Sequence, residues 1–194
     1  MLFRSNWLRK LYHIIGDIID KVYQKNIESD TNISNSDLLL CILPIERRLS
    51  AWKSTLPPNL QVKSKEDLLQ AGESKVDSSL NAVITLRYLN SRILLHRPIL
   101  SRFLDQNIRK PDYTADGGFL HQFAKGNVEV CIVSACEMID IIYSLYQARH
   151  HMLTSWWFAI YYSKWRKIVT LHNVFGTIAD WVKLSVRHLL CSVG

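Results

Sequence analysis

Between Leu80 and His96 the chain has almost no side on which a helix could meet water. At about 100° per residue, apolar side chains fill most of the circumference, and Asn81, Thr85, Arg92 and His96 are confined to one arc of about 60°. A helix with so narrow a polar stripe has to be surrounded by protein on nearly all sides. The rest of the chain must therefore supply the elements that cover it. Arg87 falls inside the apolar face, near Leu80, Val83, Ile84 and Leu94. A guanidinium buried there requires a carboxylate or carbonyl partner. The arc is the expected water-facing strip, and Arg92 on it should tolerate truncation better than Ile93 or Leu94.

The covering elements read as helices. Residues 5–25 repeat Leu8, Leu11, Ile15, Ile18 and Val22 at steps of three and four, with Tyr12 and Ile19 beside them and Ser5 or Asn6 as N-cap. Arg9 and Lys10 give this segment a basic start, but Asp17 and Asp20 argue against a mitochondrial presequence. Residues 26–36 are polar and contain the caps Asn35 and Ser36, and the apolar run Leu38–Leu43 follows. Pro44 should kink the helix or start a new one. Ile45, Leu49 and Trp52 then share a face until Pro57-Pro58 ends the segment. Residues 61–79 hold seven charges, Gly72 and four Ser, which predicts a solvated linker or a frayed helix entry.

Beyond the central helix, Pro98 should kink or restart the chain ahead of a short amphipathic piece with Ile99, Leu100, Phe103 and Leu104. Residues 105–118 read as loop. Val128–Gln147 reads as a second largely buried helix, with core set Val128, Ile132, Ala135, Ile139, Ile142 and Tyr146 and polar stripe Glu129, Glu137, Asp140 and Ser144. Thr154 or Ser155 caps a last segment opening on the aromatic cluster at 156–162, rings that serve either as core or as the lining of an effector pocket. No stretch alternates with period two. An all-α, irregular bundle of about five helices is the expected fold class.

Composition narrows the function classes. With 48% apolar and 21% charged residues across 194, the chain can bury a core and is not a disordered segment. The net charge of +7 is uneven: residues 163–194 carry five cations and one anion, and the body carries the remaining +3. A nucleic-acid footprint would run through the folded body. The start lacks an apolar signal core and no apolar run approaches ~18 residues, so a soluble intracellular protein is the default. On that basis the sequon at Asn32-Ile33-Ser34 stays unmodified.

Catalytic and metal chemistry find no foothold. Cys41, Cys131, Cys136 and Cys191 have no framework spacing, and five residues on a helix set Cys131 and Cys136 about 140° apart. His150 and His151 are adjacent and would diverge on a helix. There is no G-x-S-x-G elbow and no Gly-rich phosphate loop. The expectations are a non-enzyme with no catalytic residues and no metal ligands, no cofactor in the chain, and cofactor-binding residues unassigned.

The stretch Leu86-Arg-Tyr-Leu-Asn-Ser-Arg-Ile-Leu-Leu-His-Arg-Pro-Ile-Leu100 resembles the signature of the fungal-specific transcription factor regulatory domain, the middle homology region of fungal zinc-cluster factors, of the type named for xylanolytic activators. Leu49-Ser-Ala-Trp52 with Leu56-Pro57-Pro58 and Leu60 is similar to the family's upstream L-x-x-W-x-x-x-L-P-x-x-L pattern. Cys131, Ala135, Ile139 and Ile142 resemble a downstream C-x-x-x-A-x-x-I helix, and Trp156-Trp157 with Tyr161-Tyr162 an aromatic helix opening. The resemblance covers roughly residues 1–162 and leaves 163–194 as a divergent basic tail. There Ser163-Lys-Trp-Arg-Lys167 places cations where the family packs small and apolar residues, so the tail is expected to dock loosely and leave apolar surface bare.

What the resemblance implies is the regulatory, non-DNA-contacting part of a nuclear transcription factor. Such a part acts through helix-face contacts on transcription machinery or in a homodimer, with a small-molecule effector as a further partner. Family members bind DNA and two zinc ions through a six-cysteine head, and this sequence has no counterpart of it. The chain is therefore expected to be a truncated domain that lacks zinc, does not bind specific DNA by itself and does not enter membranes. A stand-alone helical interaction module and a non-functional gene fragment are the alternatives.

Overall fold

A computed structural model describes residues 2–24, 35–70, 75–109 and 118–147, with side-chain detail for most of them. The expectations on Asn32–Ser34, His150-His151, the aromatic cluster at 156–162 and the tail at 163–194 lie outside the described residues. Among those residues the chain forms five α-helices and no strand: α1 Leu2–Ile18, α2 Asn35–Ser54, α3 Lys65–Gln70, α4 Lys75–Arg109 and α5 Gly118–Gln147. The all-α class is as expected. No helix among the described residues is long and apolar enough to cross a membrane.

The periodicity of α1 buries Leu11, Ile14 and Ile18, and a wider π-helical turn at Ile19–Gln24 carries the stripe on to Val22. Leu8 and Ile15, expected in the core, lie half-buried at its edge. On α2, Leu38, Leu39, Ile42, Ile45, Leu49 and Trp52 face inward, while Leu40 and Leu43 stay exposed. Arg48 donates to the Asp17 carboxylate and fastens α2 to α1 at the surface. That hydrogen bond, with the charges of Arg48, Lys21 and His13, holds Asp17 below its ordinary range.

Of the two expectations for the internal prolines, a kink or a restart, the restart is corrected, since both helices continue through them. Pro44 sits on the exposed side of an uninterrupted α2, and Pro98 lies inside an α4 that runs to Arg109 through part of the expected loop. A helical proline costs about 3 kcal/mol, because it removes one N–H and crowds the carbonyl four residues back. Here the burial of Ile42 and Ile45 around one proline, and of Ile99 and Leu100 around the other, offsets that cost. The carbonyl deprived by Pro98 is that of Leu94, and the Tyr23 hydroxyl donates to it at 2.8 Å. Burial pushes the Tyr23 phenol up to about 12, which keeps the donor proton in place.

Of the stretch 61–79, expected as a solvated linker or a frayed helix entry, residues 61–70 form a strap with a short helix, and 75–79 open α4. Pro57-Pro58 ends α2 as expected, a 3-10 turn at Pro58–Leu60 buries Leu60, and α3 lays Leu68 into the core. Ser64 and Asp67 form a reciprocal cap: the Asp67 N–H donates to Ser64 Oγ at 3.2 Å, and the Ser64 N–H donates to Asp67 Oδ2 at 3.3 Å. Lys65 reaches Asp140 on α5 at 3.9 Å.

The centre of the fold is the antiparallel pair of α4 and α5. Helix α5 begins at Gly118, ten residues before the expected Val128. Val128, Ile132 and Ala135 are buried as expected, but Ile139 and Ile142 are only half-buried. Their places are taken by Met138, Ile141 and Leu145, spaced by three and four, with Cys131 seven residues before Met138. The stripe is thus turned by part of a residue step, because α4 and the strap α3 cover α5 from adjacent sides. The Cys131 thiol, pushed by burial up to about 12, donates to the Ile93 carbonyl at 3.9 Å.

Candidate functional site

The polar arc of α4 faces inward. Asn81 and Thr85 are 0% exposed and His96 is 3% exposed, whereas the reading from spacing had this strip in water. The reason is the supply of partners by other elements. Thr85 Oγ1 accepts the Lys63 N–H from the strap at 3.0 Å. His96 lies with Nε2 at 3.2 Å from Glu46 Oε2 on α2 and with Nδ1 at 2.8 Å from Asn127 Oδ1 on α5. Arg92, half-buried one turn earlier, holds the other Glu46 oxygen, with Nε at 3.7 Å from Oε1. Asn81 differs from the rest of the arc: both its amide atoms are buried without a hydrogen-bond partner among the described residues.

Arg87 is also corrected. It is half-buried at the rim, its guanidinium lies 4.9 Å from the Tyr12 ring centre, and it donates to the Tyr12 hydroxyl.

Beside the Glu46–His96–Asn127 junction lies an aromatic and cationic patch. Trp52 stacks on Tyr88 with centroids 6.2 Å apart and planes 19° from parallel. Lys53 Nζ lies 5.2 Å and the Arg92 guanidinium 5.9 Å from the Tyr88 ring centre. Trp52 Nε1 donates to the Trp7 carbonyl at 3.0 Å, so the tryptophan of the L-x-x-W stretch anchors α1 as well.

The two carboxylates of the site are pulled in opposite directions. Burial pushes both upward. At Glu46 the hydrogen bond and charge of His96, with Arg92, outweigh burial and hold the group below its ordinary value. At Glu137 burial prevails over Arg92 and Lys53, helped by Glu66, and the group sits above it. Tyr88 is raised mainly by burial. The arrangement is therefore suited to holding three helices together and to sensing charge. Among the described residues no three His, Cys, Asp or Glu side chains gather as a metal site would require.

Of the residues singled out by sequence, the structure brings Arg92 and His96 together through Glu46, keeps Arg87 apart from them, and sets Cys136 half-buried away from the buried Cys131. Glu46 and Asn127 were missed. Glu46 adjoins the Ile45–Leu49–Trp52 stripe, which marks it as an edge residue at most. The Ser64-x-x-Asp67 cap did carry a local signal.

Comparison with known proteins adds a second line. Over 157 residues, 79% of its length, the chain is 28% identical to Transcription factor FBD3 of Gibberella moniliformis. It is 29% identical over 160 residues to the protein of the same name in Fusarium pseudograminearum. The alignments cover 21% of each of those proteins. It is 23% identical over 121 residues, 62% of its length, to Sorbicillinoid biosynthetic cluster transcription factor 2 of Penicillium rubens, of which 17% is covered. The chain is similar to fungal transcription factors. It spans about a fifth of the length of the curated relatives it matches. No protein-family model matches it. No solved structure matches it either.

Proposed function

We propose that the chain is a regulatory, non-enzymatic part of a fungal transcription factor, a partial middle-homology-type domain that acts in the nucleus. It touches other proteins through helix faces, while DNA and zinc are bound by a separate head. The observation that carries this reading is the similarity to transcription factors over 79% of the chain. The packing agrees with it, because the stretches that carry the resemblance are the structural centre: Trp52, Leu56 and Leu60 pack with Leu86, Leu89, Ile93, Cys131 and Ala135 in one core. The exposed Leu40 and Leu43 on α2 and Val133 and Tyr143 on α5 are apolar side chains available to protein partners.

The test is a tethering assay. The full chain, fused to an unrelated DNA-binding head, is expected to change the output of a reporter carrying that head's site in a fungal host. An output equal to that of the head alone, from a fusion that is folded and nuclear, would overturn the reading. Titrated alone against fungal promoter DNA at physiological salt, the chain is expected to show no sequence-specific binding. Any weak binding through its basic residues should fall steeply with salt.

A further inference from the structure

The ring of His96 has more acceptors than a neutral imidazole can serve. Its side chain is 4% exposed, and its two nitrogens face a carboxylate oxygen of Glu46 and the amide oxygen of Asn127. A neutral imidazole has one N–H, whereas the charged ring has two and satisfies both neighbours. Asn127 provides the alternative. Its amide carries an oxygen and an NH₂ on one stem, and turning it by about 180° offers a donor to a deprotonated Nδ1. At the ring itself two bonded states are therefore open. The charged ring is bonded to the Asn127 oxygen and makes an ion pair with Glu46. The neutral ring is bonded to the Asn127 NH₂ and makes an ordinary hydrogen bond with Glu46.

We propose that His96, Glu46 and Asn127 form a proton-responsive latch: the charged ring clamps α2 and α5 onto α4, and loss of its proton loosens α2 while the Asn127 amide turns to follow. The charged groups around the ring are consistent with this. From α2 comes Glu46, with Lys53 farther along over Tyr88. On α4 itself, Arg92 shares Glu46, and Arg97 acts on the phenol of Tyr23, which reaches α4 from the turn after α1. From α5 the ring meets the uncharged Asn127, and Glu137 on the same helix lies within the field of Arg92. The carboxylate that distinguishes the two states of the ring is thus Glu46. It lies on a different helix, 50 residues away in sequence. The latch does not depend on the transcriptional reading.

Hydrogen exchange on the full chain, corrected for intrinsic rates, tests it by comparing about pH 5.5 with about pH 8. Amides of α2 from Leu38 to Leu49 are expected to open several-fold more readily at the upper end, while those of α4 and α5 near Ile93 and Met138 stay unchanged. Glu46→Gln keeps an acceptor oxygen but no charge and is expected to flatten the pH dependence of α2. Asn127→Asp, which offers only acceptors, is expected to extend the tightly held state to higher pH. Protection of α2 that does not vary with pH in the natural chain, or a Glu46→Gln variant with the same dependence as the natural chain, would overturn the latch.

Discussion

Two strips of α4 are buried and are held in opposite ways. On one side Leu86, Leu89 and Ile93 are excluded from water by contact with other apolar side chains, and any close-packed apolar residues of similar volume would do the same. On the other side Thr85 and His96 are excluded from water only because the strap, α2 and α5 each bring a particular atom to them. Asn81 shares that second side without such an atom among the described residues. The first side makes the helix stable. The second makes it specific about its neighbours, since a buried polar group is tolerated only opposite its own partner.

Substitutions can separate these two kinds of burial. Ile93→Ala is expected to have the largest effect, a loss of about 2–5 kcal/mol from lost volume and the cavity left behind. Denaturant melts of the two chains would measure it. His96→Ala is expected to cost about 1–3 kcal/mol, because it leaves a half-buried Glu46 and the buried Asn127 without the ring. A cost below a few tenths would mean that water replaces the imidazole and that the polar side is not dry. Asn81→Leu should act in the opposite direction and raise stability by roughly 1 kcal/mol, read as a higher denaturant midpoint, since it removes two buried polar atoms that have no partner among the described residues. A loss of stability there would reveal a partner beyond the described residues.

Arg92→Ala is the smallest of the substitutions, at under about 1 kcal/mol, because the guanidinium is 22% exposed and its ion pair is long. The acid limb gives a further check on Glu46. Its folded value lies below the ordinary 4.5, so its contribution is complete above that value and disappears as the pH falls through the folded one. Glu46→Gln should remove that part of the acid-induced loss. Glu137, raised in the fold, works the other way: the folded state binds its proton more tightly, so it weakens the fold once the pH rises past its ordinary value.

What could be read in advance follows the same division. The stripe of Leu11, Ile18 and Val22, the face of Ile45, Leu49 and Trp52, and the inward set of Val128, Ile132 and Ala135 depend on spacing within one helix, and spacing is local. Burial of the polar arc depends on Lys63, Glu46 and Asn127, which lie 22, 50 and 31 residues from their partners, and no pattern within the helix announces them. The prolines misled for a related reason. Propensity describes a helix in water, and Pro44 and Pro98 lie in helices whose continuation is decided by the core on either side.

The bond between Tyr23 and Leu94 ties the fate of the first helix to that of a proline 75 residues later. An alanine at position 98 would restore the backbone donor and make the tyrosine hydroxyl redundant, so Tyr23→Phe should be costly beside the proline and nearly silent beside the alanine. The two positions form one inherited unit. A variant that drops the opening segment but keeps Pro98 is left with a peptide oxygen looking for a hydrogen, and the simplest repair is at the far residue.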